Sequence, residues 1–402
     1  MTENGRHVVI AGGSFAGLGA AYTLRERLRP DDRVTVVSPS DQFVFAPSLV
    51  WAVLGRPLVH STFALEPALR GKGISFIHSA VWSVRPADRT VQTDGGELTY
   101  DRLVIATGGH PDSVTIPGLA GDSRAASWVV GVDSATEART VLHQLTASPG
   151  PLIVGAAQGA SYISGAYELA LALHVALRKD GIRDQVPMTF LTFEPYLGHL
   201  GFGQSAAREK LELLFREREI ATHTDVWIKS IQPGSVTISS GGTLEAAAAI
   251  IMPPFTGSLD IWQSAKLTGE DGLIAVDEHY RHVRFPEIYA VGVAAHFNQP
   301  VAPLGYARPP HTGYLSLHMG RIAGVNVAAS LDCGAPAERA LPERLDIRIL
   351  DGGDAGMVLT SRGKARLRHK ARSLPGRSAH YMKSAVERYL VWRLRTGRMN
   401  LP

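Results

Sequence analysis

A single cysteine, Cys333, among 402 residues excludes more than any motif establishes. An intrachain disulfide framework, a cysteine-ligated metal centre and a two-thiol redox relay each need more than one. No stretch reaches the ~18 uninterrupted apolar residues of a membrane-spanning helix. There is no P-loop, no G-x-S-x-G elbow and no histidine–carboxylate spacing of a metal site, so no metal is expected. Met1 to His7 run into an apolar strand without the layout of a secretory signal, and a cytoplasmic protein is expected. What is present is ample for a large core: 45% of residues are hydrophobic and 19% charged, which excludes disordered and collagen-like classes. At about 150 residues per domain, the length suggests two or three domains.

The formal net charge of +4 conceals an asymmetry. Between Ser361 and Arg398 stand twelve Lys or Arg against one acid, Glu387, a local +11 that leaves −7 on the rest. Such a segment suits a polyanionic surface, or it docks on the chain's own acidic body. Tyr381, Tyr389 and Trp392, with Val386, Leu390 and Leu394 at near-helical spacing, suit an amphipathic helix in a headgroup layer better than a nucleic-acid groove. Peripheral contact with the inner face of a membrane is therefore one expectation and self-docking the other; no nucleic-acid partner is expected.

Apolar runs and turn residues outline the elements. His7 to Ala11 reads as a strand, Gly17 to Leu28 as the following helix and Arg33 to Val37 as the next parallel strand. Tyr100 to Ala106 is a further strand. Pro151 to Val154 opens a second strand–turn–helix unit, its helix running to about Leu177, with Met188 to Thr192 as its next strand. Ala248 to Met252 and Glu287 to Val291 read as strands, and Pro310 to Ala329 as a long helix. Two βαβ beginnings predict an α/β protein with two interleaved Rossmann-like dinucleotide-binding domains plus a basic C-terminal segment. Residues 1–110 with 272–330 form the first domain, 111–271 the second and 331–402 the C-terminal region.

The first turn is Gly12-Gly13-Ser14-Phe15-Ala16-Gly17, directly after a strand. In a G-x-G-x-x-G turn the first glycine bends the chain, the second admits a pyrophosphate and the third lets helix and strand pack, with the helix N-terminus facing the phosphates. Ser14 at the second position is small enough to keep that approach open. The acid that usually ends the second strand is replaced by Ser38. The second turn, Gly155-Ala156-Ala157-Gln158-Gly159-Ala160, keeps only its first glycine in place, and the added methyls argue against a tightly bound nicotinamide nucleotide.

The stretches VVIAGGSFAGL, VTVVSPSDQFVFAPSLVWAVLGR, YDRLVIATG, GAAQGASYISGAYE, VPMTFLTFEPYLGHLG, MPPFTG, FPEIYAVG, PPHTGY and WRLRTGRMNLP span almost the whole chain in order. Through them the chain resembles the sulfide:quinone oxidoreductase branch of the FAD-dependent pyridine nucleotide-disulfide oxidoreductases. The resemblance implies FAD across the first domain, with Gly12, Gly13, Ser14, Phe15, Ala16 and Gly17 at the pyrophosphate. It implies Ser38 at the adenosine ribose, Val81 and the Ala106-Thr107-Gly108 run along the cofactor, and Pro47 by the isoalloxazine. Gly292 and Val293 would lie near the ribityl chain. Thr312 and Gly313 would start a helix whose positive end faces the flavin pyrimidine.

Departures from the family pattern carry as much information. Where sulfide-oxidising members place sulfur-carrying cysteines, this chain has Tyr162 and Arg348, and neither can form a persulfide or a thiolate adduct. Cys333 fits neither position. The family acid after Gly292 is Val293, and the family lysine before Thr312 is His311, which could deliver a proton near neutral pH. Glu168 matches a glutamate facing the quinone pocket, and Tyr162 reshapes that face; with His311 they form the candidate catalytic set. Pro253 to Phe255, Phe45, Trp51 and Phe297 are candidate pocket walls, while His110, His296 and Tyr306 are weaker candidates. The leading expectation is an FAD-dependent oxidoreductase acting on a small, quinone-like or aromatic organic substrate and not on sulfide. An NAD(P)H:quinone-type reductase and a flavoprotein fold kept for a non-redox role stand as alternatives, and self-association is left open.

Overall fold

The computed structural model describes residues 5–112, 115–119, 126–160, 162–200, 205–257, 266–269, 272–297, 312–332, 334, 346–362 and 368–398. The apolar runs pair into two parallel sheets. The first has the spatial order Ile288–Ala290, Arg102–Ile105, His7–Ala11, Arg33–Ser38, Ser75–His78. His7–Ala11 is buried along its full length, as a central parallel strand covered on both faces must be. Its register sets Ala11 beside Val37 on one side and Ile105 on the other, so three strands deliver their carboxyl ends next to Gly12. The second sheet repeats the design in the order Ala126–Ser127, Ala248–Met252, Leu152–Ala156, Met188–Thr192, Ile220–His223.

The helix after the first turn spans Phe15–Arg27, earlier at its start than the Gly17 expected from sequence, because Ser14 already holds extended N-cap geometry. It packs against Gly313–Leu331, and close approach is required there: a Cβ on Gly320 would lie 1.9 Å from the Ala16 carbonyl oxygen. The long helix begins at Gly313 rather than Pro310, with the Thr312 hydroxyl accepting the Leu315 N–H at 3.1 Å. Two three-stranded antiparallel sheets, Val81–Arg85 with Thr90–Thr93 and Gly96–Thr99, and Ile228–Gln232 with Gly234–Ile238 and Thr243–Ala246, were not legible as apolar runs. Each has one wet face, so its hydrophobic signal is diluted by alternation.

The basic segment is a folded unit. Asp346–Asp351, Ala355–Arg362 and Arg368–Pro375 form an antiparallel sheet, followed by the helix Ser378–Thr396. That helix docks on the body through buried polar groups. Glu387 is fully buried and accepts hydrogen bonds from the hydroxyls of Ser48, at 2.6 Å, and Ser61, and from Arg56 at 2.8 Å. Its Lys383 pairs with Glu168. The Trp51 ring lies between the two cations, 4.0 Å from the Arg56 guanidinium carbon and 4.5 Å from the Lys383 nitrogen, while its Nε1 donates to Asp351 at 2.9 Å. Self-docking thus accounts for the inner face of the segment. The outer face keeps Tyr381, Met382, Tyr389 and Trp392 exposed.

Glu387→Ala should leave Arg56 without its anion and destabilise the fold by about 3 kcal/mol, the low end for a broken buried pair because Arg56 is partly exposed. Guanidinium unfolding measures this. An unchanged midpoint would mean that apolar contacts alone hold the helix.

Candidate active site

At the carboxyl end of the first sheet the chain must turn sharply from strand into helix. Gly12 does so with φ at +116°, and a Cβ there would lie 2.2 Å from the Ala106 carbonyl oxygen, so no other residue fits the position. Gly17 keeps the turn tight, since a Cβ on it would come 1.9 Å from the Gly12 carbonyl oxygen; it lines neither of the cavities described next. Ser14 makes no side-chain cap bond, which leaves the first N–H groups of Phe15–Arg27 directed at the space beyond.

That space is two abutting cavities of about 330 and 350 Å³ sharing Ser14, Ala106 and Thr107. Gly12, Gly13, Ser38 and Val81 line the one on the second-strand side, together with His110. Phe15, Ala16, Pro47 and Gly108 line the other, which is closed by Gly292, Val293, Thr312 and Gly313. The Thr107 hydroxyl oxygen is buried at the junction with no hydrogen-bond partner. An unpaired buried hydroxyl is costly unless a ligand completes it. A bent, two-lobed space with a helix N-terminus and an unsatisfied hydroxyl at its waist fits a dinucleotide whose pyrophosphate sits at the waist.

A third pocket of about 110 Å³ shares Phe15, Pro47, Tyr162, Thr312 and Gly313 with the second cavity. Its further walls are Phe45, Tyr314, Ile347, Ile349, Val386 and Leu390, with Ser164, Glu168, Arg348 and Lys383 as polar members. Glu168, two turns into the helix Ile163–Lys179, is buried and ion-paired with Lys383. Burial pushes its carboxyl up to about 7, against the opposing pull of the Lys383 ammonium. Tyr162 stands at the N-terminal cap of the same helix, on the boundary between second and third cavities. Burial and the Glu168 charge push its phenol up, while Arg348 opposes them. The Arg348 guanidinium donates to the Leu200 carbonyl at 3.1 Å.

The second glycine turn is furnished differently. The Ala157 N–H donates to the Met252 carbonyl at 3.0 Å and the Ala160 N–H to the Ala157 carbonyl at 3.0 Å. The Gln158 amide spans the Ile228 backbone, donating at 2.9 Å and accepting at 3.0 Å. Glu194, just beyond Met188–Thr192, is where an acid of such a unit would meet a ribose. Here it is buried and accepts the hydroxyls of Tyr167 at 2.7 Å and Thr192 at 2.8 Å. The Ala157 and Ala160 N–H groups, the Gln158 amide and the Glu194 carboxyl are thus bonded within the protein.

The structure therefore gathers Tyr162 and Glu168 beside the first-domain cavities, with Phe45 and Phe255 in their walls. Trp51 stands behind Lys383 rather than in a wall, and Phe297 is buried against Tyr280, their ring centres 5.5 Å apart. His311, Tyr306 and Cys333 lie outside the described residues, and His296 lines none of the three cavities. The sequence reading missed Lys383, Val386 and Leu390, which bring the C-terminal helix into the third pocket. The signal was there: a glutamate on an otherwise apolar helix face needs a buried cation, and the basic segment holds most of the spare ones. No cluster of metal-binding side chains and no helix long and apolar enough to cross a membrane occurs among the described residues.

Two Rossmann-like units with a dinucleotide space in the first define a two-domain flavoprotein oxidoreductase. The family comparison makes this specific. Residues 6–320 match the pyridine nucleotide-disulphide oxidoreductase model, and the chain belongs to that family, whose members are FAD-dependent. It is 34% identical over 405 residues to a sulfide-quinone reductase of Aquifex aeolicus, covering 98% of this chain and 92% of that one. The crystal structure of the sulfide:quinone oxidoreductase from that bacterium superposes with a TM-score of 0.87 at 31% identity, over 98% and 93% of the two chains. An NADH dehydrogenase-like protein of Mycobacterium tuberculosis is 29% identical over 366 residues, 88% of this chain and 87% of that one. The chain is thus an FAD-dependent oxidoreductase.

The raised Glu168 carboxyl predicts a pH signature. Unfolded, the group titrates near 4.5; folded, near 7, so the folded chain holds the proton more tightly. Its contribution to stability is fully present below about pH 4.5 and is lost as pH rises through about 7. The stability advantage of wild type over Glu168→Gln should therefore shrink between pH 5 and pH 8 in urea unfolding. A pH-independent difference would place the ionisation outside this window.

Proposed function

We infer that the chain oxidises or reduces a small, quinone-like or aromatic organic molecule, by a route that carries no sulfur. The third pocket supports this most directly, because it shares five walls with the flavin-side cavity and is otherwise mostly apolar. FAD, when bound, supplies two-electron chemistry. On this reading the Gly12-Gly13-Ser14 turn and the N–H groups of Phe15, Ala16 and Gly17 hold the pyrophosphate. Ser38 and Val81 receive the adenosine end, Ala106, Thr107 and Gly108 the middle, and Gly292 and Val293 the ribityl chain. Pro47 packs on the flavin, and the helix opening at Thr312 and Gly313 offers its positive end there. His311 is a proposed proton donor at the flavin edge, and Glu168, paired with Lys383, keeps a second proton at the pocket wall.

The quinone in the names of the Aquifex relative and its structure supports the substrate class; the sulfide does not transfer, because Tyr162 and Arg348 replace thiols. Against NAD(P)H as electron donor stand the internally bonded second turn and the inward Glu194. The pocket reaches the surface at Val386 and Ile347, beside the exposed face that carries Tyr381, Tyr389 and Trp392 with Arg388 and Arg395. That face supports peripheral attachment to an anionic lipid surface, each cation adding about 1 kcal/mol.

Two measurements test the reading. Anaerobic millimolar sulfide should leave the flavin spectrum unchanged, and so should NADH; rapid bleaching with polysulfide release, or bleaching by NADH, would overturn the corresponding part. Val293→Asp should tighten FAD by about 1.5–3 kcal/mol, the worth of a charged hydrogen bond. Calorimetric titration of the apoprotein measures it, and an unchanged affinity would remove Val293 from the ribityl chain.

A further inference from the structure

Tyr162 has a purpose-made seat. A Cβ on Gly165 would lie 2.3 Å from its Cε1 and 2.8 Å from its Cζ, so the ring lies flat on the one helical position that lacks a side chain. The aromatic ring and the glycine one turn later specify each other, and the seat fixes where the phenol points. Its hydroxyl makes no hydrogen bond to any described residue, although the ring lines two cavities. The two cations of the third pocket are already bonded within the protein. Lys383 is paired with Glu168, and Arg348 donates to Leu200, whose own N–H is bound to Glu194. The charged side chains lining the pocket are one acid and two bases, Glu168 with Lys383 and Arg348, and most of the remaining walls are apolar. A ligand meets the Tyr162 hydroxyl on the side shared with the second cavity, with those of Ser164 and Thr312 as the other hydroxyls in the lining.

We propose that Tyr162 is the specificity-determining residue of this site, its hydroxyl donating to the carbonyl oxygen of an uncharged, planar, mostly apolar molecule. This rests on the functional reading above and narrows it to molecules that present a carbonyl oxygen to the Tyr162 hydroxyl. A site that spends a donor on one oxygen discriminates strongly against the analogue without it, because the donor is then left dry and unpaired. The donor is a property of this chain, since a thiol at the same place would be a weak one.

Binding to the oxidised, FAD-loaded protein tests the proposal without turnover. The probes are 2,3-dimethyl-1,4-naphthoquinone, whose reactive ring positions are blocked against the thiol, and 2,3-dimethylnaphthalene, which has the same shape and no oxygen. Wild type should prefer the quinone. Tyr162→Phe keeps the ring on Gly165 and should weaken quinone binding about tenfold, leaving the hydrocarbon unchanged. The infrared carbonyl band of the bound quinone should be lowered in wild type and restored in Tyr162→Phe. Gly165→Ala, which forces the ring from its seat, should abolish the preference while the hydroxyl is still present. Equal quinone affinity in wild type and Tyr162→Phe, or equal loss of both probes, overturns the assignment to Tyr162 alone. If wild type binds neither probe, the quinone-like reading of the site falls with it.

Discussion

Three buried carboxylates, Glu168, Asp351 and Glu387, decide how this molecule is assembled, because each has a partner across a boundary between units. Glu168 belongs to the second sheet's helix and finds Lys383 on the C-terminal helix. Glu387 on that helix finds Arg56, Ser48 and Ser61 in the first unit. Asp351, in the C-terminal sheet, accepts from Trp51 and contacts His380 at 2.8 Å. Desolvating an unpaired carboxylate costs several kcal/mol, so any other placement of the C-terminal helix would strand at least two charges. Hydrophobic contact alone tolerates sliding; paired buried charges do not. The third pocket exists because this helix is held in one register, with Lys383 and Leu390 buried and Val386 at the pocket's mouth.

The two kinds of cavity in this molecule depend on different parts of the chain. The cofactor space depends on backbone: the φ of Gly12, the close packing at Gly17 and the open N-terminus of the first helix. The neighbouring pocket depends on side chains. A ring as large as that of Tyr162 fits because Gly165 leaves room, and the Arg348 guanidinium is received by the Leu200 carbonyl.

Much of the fold was legible because it rests on short-range signals. Buried parallel strands show as unbroken apolar runs such as VVIA and AAIIM, and the first glycine turn announces itself by composition. The central strands of both sheets, both turns and the long helix follow from these, whereas the strands Ser75–His78, Ala126–Ser127 and Ile220–His223 do not. The two antiparallel sheets were not legible, because half-wet strands dilute the apolar signal. The contribution of the C-terminal segment to the pocket was hidden for another reason. Glu168 and Lys383 are 215 positions apart, and nothing local links a lone glutamate to one of twelve cations. Charge counting alone left docking and lipid contact open; the helix docks through one face and leaves the other exposed.

The second glycine turn shows how a degraded motif is repurposed rather than merely lost. Methyl groups at Ala157 and Ala160 do crowd a phosphate, as the sequence suggests, but the decisive change is in hydrogen bonding. The Ala157 and Ala160 N–H groups close onto carbonyls, Gln158 stitches the turn to Ile228, and Glu194 is folded inward under Tyr167. These bonds tie the strand ends together around the N-terminus of Ile163–Lys179. That terminus is where Tyr162 stands. A turn closed on its own protein bonds is a rigid platform for one side chain, and a rigid platform is what recognition by a single hydroxyl requires, since a donor free to wander by an ångström distinguishes little.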